Sequence, residues 1–128
     1  NIININGGDG VEVFANPNGS NNIVINLTDV ATEYTNVTSA MSPYEVTATD
    51  YFLSVDATGG PVIIELPDAP TANRQFIIKD RLGQSAINTI TVKSLSGVTT
   101  VDQQLDYTFV DNYESLECLY HTANYEVF

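Results

Sequence analysis

The chain has 128 residues carrying 16 acidic and 4 basic side chains, a formal charge of −12 at pH 7. That length suits one ordinary domain with a modest core, without room for a second independent core. All four cations, Arg74, Lys79, Arg81 and Lys93, lie between positions 74 and 93, which argues against nucleic acid, whose phosphates call for spread cations, and against an anionic membrane surface.

From the N-terminus, short alternations at Ile3–Ile5, Val11–Phe14 and Ile23–Leu27 read as marginal strands, separated by turns at Gly7–Gly10 and Asn16–Asn22. Isolated hairpins bury too little apolar area to hold alone, so residues 1–43 are expected to form an extended, β-rich arm that contacts another subunit or a shaft. Asn26–Thr35 offers Thr28 or Asp29 as a helix N-cap, but its apolar spacing is poor and β-branched residues are frequent. It is read as loop or a single turn, and Thr38–Pro43 as a linker.

A stronger pattern occupies residues 44–128. After Tyr44–Val46, the runs Tyr51–Asp56, Val62–Leu66 and Arg74–Asp80 alternate with the turn-rich separators Ala57–Pro61 and Pro67–Asn73. The same beat continues through Ile90 and Val92, Tyr107 and Phe109, Leu116, Cys118 and Tyr120, and a last strand at Tyr125–Phe128. The expected fold is all-β: a small antiparallel β-sandwich or jelly-roll-like head with hairpin connections, behind the N-terminal arm. The core face is assigned to Tyr51, Leu53, Val55, Val62, Ile64, Leu66, Phe76 and Ile78 and to the later alternating residues just named. Phe52, Ile63, Ile77, Val110 and Leu119 place apolar groups on the opposite face, where a lone sandwich is polar. They are the candidate subunit interface.

Residues able to carry chemistry are sparse. Cys118 and His121 are each the only one of their kind, which excludes an intrachain disulfide and leaves a Cys–His pair without an orienting partner. Their spacing of three puts them on opposite faces of a strand, against a shared metal ion. Asp9 lacks the spaced oxygen ligands of a calcium loop. Asp56, Glu65, Asp80, Asp102, Asp106 and Asp111 fall at strand ends or turns, where aspartate is favoured for bonding its own backbone. Paired-carboxylate hydrolysis has no support in such placement. The sequons at Asn18, Asn26 and Asn36 fit chance in an Asn- and Thr-rich stretch. Tyr34, Tyr44, Tyr113 and Tyr125 lie beside turns, as edge packing or as platforms for sugar rings.

Taken together, Tyr51–Asp56, Val62–Pro70 with its Leu-Pro turn, Phe76–Asp80 with Gly83, and Asn88–Val92 resemble a β-module that recurs in fibre and appendage proteins of bacteriophages and other viruses. Thr99–Asp102, Asn112–Leu116 and Ala123–Val127 continue the likeness, which covers about residues 44–128. Two positions depart from the pattern. Asp102-Gln-Gln stands in place of an Asp-Gly turn, and Tyr125 stands where Trp is common. The resemblance implies a virion structural component, a homotrimer or higher assembly on a tail fibre, spike or capsid exterior, contacting other virion proteins and a cell-surface glycan. It brings no catalytic residue and no cofactor, so the chain is expected to act by binding and not as an enzyme. Recognition is assigned to Thr58, Arg81, Gln84, Asn112 and Tyr113 in the loops Ala57–Pro61, Arg81–Ala86 and Asp111–Glu114. The competing readings are a monomeric carbohydrate-binding module of a larger enzyme or surface protein, and a polysaccharide depolymerase domain.

Overall fold

A computed structural model describes residues 11–14, 24–27, 34–70 and 73–128, and the chain falls into two units, Asn1–Thr32 and Glu33–Phe128. In the first unit β1 (Val11–Phe14) and β2 (Val24–Leu27) pair antiparallel, Val11 opposite Leu27 and Phe14 opposite Val24. The strand expected at 3–5, Asp9 and the turns at 7–10 and 16–22 lie outside the described residues.

The second unit begins ahead of the expected boundary at 43/44. Thr35, Val37 and Thr38, β-branched and unsuited to a helix, form β3 (Tyr34–Thr38), which pairs along its length with a later strand. A single 3-10 turn, Ser39–Met41, occupies part of the expected linker. There follow β4 (Tyr44–Glu45), β5 (Phe52–Asp56), β6 (Val62–Leu66), β7 (Gln75–Asp80), β8 (Ile90–Ser94), β9 (Thr100–Val101), β10 (Asp106–Thr108), β11 (Ser115–His121) and β12 (Asn124–Val127). They make a six-stranded sheet in the order β3-β5-β7-β11-β12-β9 and a four-stranded sheet in the order β10-β8-β6-β4. The fold is all-β, with no α-helix among the described residues.

The pairing corrects the expectation of an antiparallel domain built from hairpins. From β3 to β8 each successive strand enters the other sheet, so strands two apart become parallel neighbours: β3 with β5, β5 with β7, β4 with β6, and β6 with β8. Antiparallel pairing in this unit joins β7 to β11, β11 to β12, and β8 to β10, while β9 lies parallel to β12. The physical reason is the separators. Ala57–Pro61 and Pro67–Asn73 exceed the two-residue turns that fold a strand back on its neighbour, and β5, β6 and β7 alternate between the sheets instead. Alternation tells which residues face inward, and it is silent about which strand lies alongside.

One buried cluster draws side chains from both sheets. Val37, Leu53, Val55, Phe76, Ile78, Leu116, Cys118 and Tyr125 enter it from the six-stranded sheet, and Val62, Ile64, Leu66, Ile90 and Val92 from the four-stranded one. In register, Leu53, Ile78 and Leu116 form one rung, and Ile64 and Val92 another. Full burial of such a side chain contributes about 1.5–3 kcal/mol. Of the expected core, Tyr51, Tyr107 and Tyr120 are half-buried, the latter two packed against the cluster. Tyr125, expected beside a turn at the surface, is fully buried. Asp102 and Gln103 both take positive φ, 47° and 65°, the backbone that an Asp-Gly turn supplies more cheaply.

Candidate functional site

The end of β7 shows how this fold organises loops. Asp80 is completely buried. Its carboxylate accepts from the Gly83 N–H at 3.0 Å, the Ser85 N–H at 3.1 Å, the Ser85 hydroxyl at 2.8 Å and the Tyr113 N–H at 3.0 Å. Burial works to raise the Asp80 pKa, and these donors outweigh it, holding the carboxyl below the usual range. An aspartate read from sequence as turn chemistry is therefore a joint between two loops far apart in the chain.

Further bonds tighten that joint. The Ala86 N–H donates to Asn112 Oδ1 at 3.1 Å, and the Lys79 ammonium donates to the Tyr113 carbonyl. Glu114 accepts from the Val110 and Asp111 N–H groups at 2.9 and 3.1 Å and from the Tyr107 hydroxyl at 2.9 Å. The loop after β5 joins from the side: Asp56 accepts from the Thr58 N–H at 3.0 Å and from the Thr58 hydroxyl, and pairs with Arg81 at 3.2 Å. Asn88 Nδ2 donates to the Ala57 carbonyl at 2.8 Å.

The residues assigned to recognition thus meet at one end of the second unit. Thr58, Arg81, Asn112 and Tyr113 are fixed by the bonds above, and the Gln84 carbonyl accepts from the Ile87 and Asn88 N–H groups. Around them Leu82, Ile87, Val110 and Tyr113 are exposed, Val110 at 69% and Tyr113 at 62%. The result is a preformed surface of mixed apolar and hydrogen-bonding character on a rigid base.

The candidate interface residues do not form one patch. Phe52 and Ile77 are register partners on the six-stranded sheet, and Tyr34 extends the row, its ring stacked on Phe52 at 5.8 Å. Leu119 lies on the same sheet, between Gln75 and Glu126. Ile63 belongs to the four-stranded sheet opposite Thr91, and Val110 to the loop beyond β10. Alternation marked each as facing away from its own strand's core side, but two sheets have two outer faces.

A second buried carboxylate, Asp50, was not singled out from the sequence. It accepts from the Thr47 N–H at 2.7 Å, the Thr47 hydroxyl at 2.9 Å, the Tyr44 hydroxyl at 3.0 Å and the Thr35 hydroxyl, tying β3 and β4 to the turn before β5. Burial works to raise its pKa, and the donors together outweigh it, leaving it depressed. The available signal was Thr47-Ala-Thr-Asp50, a turn rich in hydroxyls between two strands. Cys118 is buried and its thiol is pushed up to about 12, chiefly by desolvation, whereas His121 is exposed and 3.4 Å from Glu126. Among the described residues no three His, Cys, Asp or Glu side chains converge as a metal site.

Gly83 gives a direct test of the loop joint. Its φ is +67°, and a Cβ there would enter the Tyr113 ring. Gly83→Ala is expected to cost about 1–3 kcal/mol by chemical denaturation, with amide NMR shifts reaching Tyr113. A variant as stable as the parent would show that the two loops are not coupled.

No known protein-family model matches the chain, and no curated protein matches it as a relative.

Proposed function

We propose that the chain is a structural and adhesive virion protein, a fibre, spike or capsid-decoration component that assembles with copies of itself and binds a host surface without turnover. The second unit is read as a small sandwich of its two sheets around the shared core, or a jelly-roll-like relative of one. The observation that carries the reading is the row Tyr34, Phe52 and Ile77 across three adjacent strands, with Tyr34 58% exposed. An apolar stripe on an outer sheet face suits coverage by another subunit, and a homotrimer with other virion proteins as neighbours follows from the resemblance described above. Support for attachment comes from the loops joined by Asp80. They lie at the C-terminal ends of β5 and β7, whereas β3 starts beside Phe52 at the other end, so the loops point away from the chain's entry into this unit. A cell-surface glycan is the ligand class, and no cofactor is required.

The outer face of the four-stranded sheet favours a second reading. Its residues are mostly polar, with Glu65 paired to Lys93 at 3.2 Å and Thr91 beside Thr108, as a monomeric carbohydrate-binding module would have. Light scattering on the purified chain separates the two. A mass near three chains, reduced to one by Phe52→Ser with Ile77→Thr, is the expected result; a parent that is monomeric at all concentrations sinks the fibre reading.

A further inference from the structure

A cleft of about 500 Å³ opens at the end of the second unit opposite the joined loops. Ala48, Pro67, Pro70 and Phe76 give it apolar walls, and Asn73 and Arg74 supply its donors. That size and that lining, apolar with a few fixed polar groups, suit a small ligand.

Arg74 is held in place before any ligand arrives. Its Nη2 donates to the Ala48 carbonyl at 2.7 Å and to the Asp50 carbonyl, and its guanidinium lies over the Phe76 ring, 5.2 Å from the centroid. Rigid anchoring of this kind lowers the ordering cost of binding. The charge itself is unspent. Arg81 and Lys93 each meet a carboxylate, Asp56 and Glu65, whereas Arg74 meets carbonyl oxygens, and its Nε is buried with no hydrogen-bond partner among the described residues. The nearby carboxylates are engaged elsewhere: Asp50 by Thr35, Tyr44 and Thr47, and Asp68 by the Ser96 N–H and hydroxyl.

We infer that this cleft binds a small monoanion, a carboxylate carried on a ring or short chain with apolar faces. A guanidinium has donors only, so the ligand must bring acceptors; with both Nη2 hydrogens on the Ala48 and Asp50 carbonyls, Nη1 is the group left to donate, and the unpaired positive charge favours an anionic oxygen there. The walls ask for an apolar body beside that group. One cation inside a chain of charge −12 favours a single negative charge over phosphate or a polyanion. A sugar acid and a free organic acid share this chemistry.

The test is an NMR titration of the full 128-residue chain with glucuronate and with benzoate, using glucose and inorganic phosphate as comparisons. Saturable shifts of the Ala48, Asn73 and Arg74 amides with either carboxylate, at dissociation constants on the order of 1 mM, are expected. Tighter glucuronate points to a sugar acid and tighter benzoate to a free organic acid. Arg74→Gln should weaken binding about tenfold or more. Because that change also removes two structural bonds, Ala48→Leu provides an independent check: it narrows the cleft from an exposed position and should abolish the shifts. No saturable shift with either acid, glucose or phosphate binding as well as glucuronate, or full binding by Ala48→Leu would overturn the assignment.

Discussion

Asp80→Ala is expected to lose about 3–4 kcal/mol in urea denaturation, a large part of what a domain of this size possesses. The alanine leaves the Gly83, Ser85 and Tyr113 N–H groups without their acceptor in a place where Asp80 itself was fully shielded from water. Asp80→Asn keeps the shape but turns an amide group toward donors, so it should recover only part of the loss. The pH dependence follows from the direction of the shift. With the folded pKa depressed, the stabilisation is complete above the unfolded value of ~3.9 and drains away as pH falls through the folded pKa. Asp50 shifts the same way. The parent should therefore lose stability steeply below about pH 4, and Asp80→Ala should show a shallower fall. Parallel curves for parent and variant would mean that the Asp80 pKa is the same in the folded and unfolded protein, against the depressed value its donors imply.

Tyr125→Ala should be comparably damaging, about 3–5 kcal/mol, as for other large aromatic truncations in cores. Tyr125 is fully buried, packs against Tyr120 and Phe76 with ring centroids 5.3 and 6.1 Å away, and donates its hydroxyl to the Pro67 carbonyl at 2.6 Å. Burial drives its phenol upward from the ordinary tyrosine pKa, so the group remains a donor at any ordinary pH. Pro67 follows β6 in one sheet and Tyr125 sits on β12 in the other, so this bond fastens the two together. Tyr125→Phe isolates it and should cost about 1 kcal/mol, more if the carbonyl is left dry. A Phe variant as destabilised as the Ala variant would place the importance of Tyr125 in the hydroxyl and not in its bulk.

Much of the second unit was legible because strand alternation reports burial directly. Leu53, Val55, Val62, Ile64, Leu66, Phe76 and Ile78 all face the core, as their period of two requires. Pairing was not legible in the same way. Phe52 lies between Tyr34 and Ile77, separated from each along the chain by a strand of the other sheet, and no local signal encodes such a neighbour. Tyr34–Thr38 straddles the stretch Asn26–Thr35, read as loop or a single turn, and the linker read from Thr38, and its short alternation does not announce a strand. The turn between β11 and β12 runs through Thr122 and Ala123, both at positive φ, without the Asn-Gly pair that normally announces one. At the site, the loops could be named from turn residues, but their union depends on Asp80, whose burial is a property of packing. Asp50 and Arg74 were hidden for the same reason, Asp50 being defined by the Thr35 and Tyr44 hydroxyls and Arg74 by the Ala48 and Asp50 carbonyls, all brought together by the fold.

The parallel run of β3, β5 and β7 also has a mechanical meaning. The chain enters at Tyr34, beside the start of β5, while the joined loops lie past Asp56 and Asp80 at the far ends of β5 and β7. A pull between a tether at Tyr34 and a ligand held by those loops runs along the strands, not across them. The hydrogen bonds of the ladder between Tyr34–Thr38 and Phe52–Asp56 then share the load together, where a perpendicular pull would open them one after another. A fold threaded in this way resists tension along the line in which the proposed adhesive role would load it.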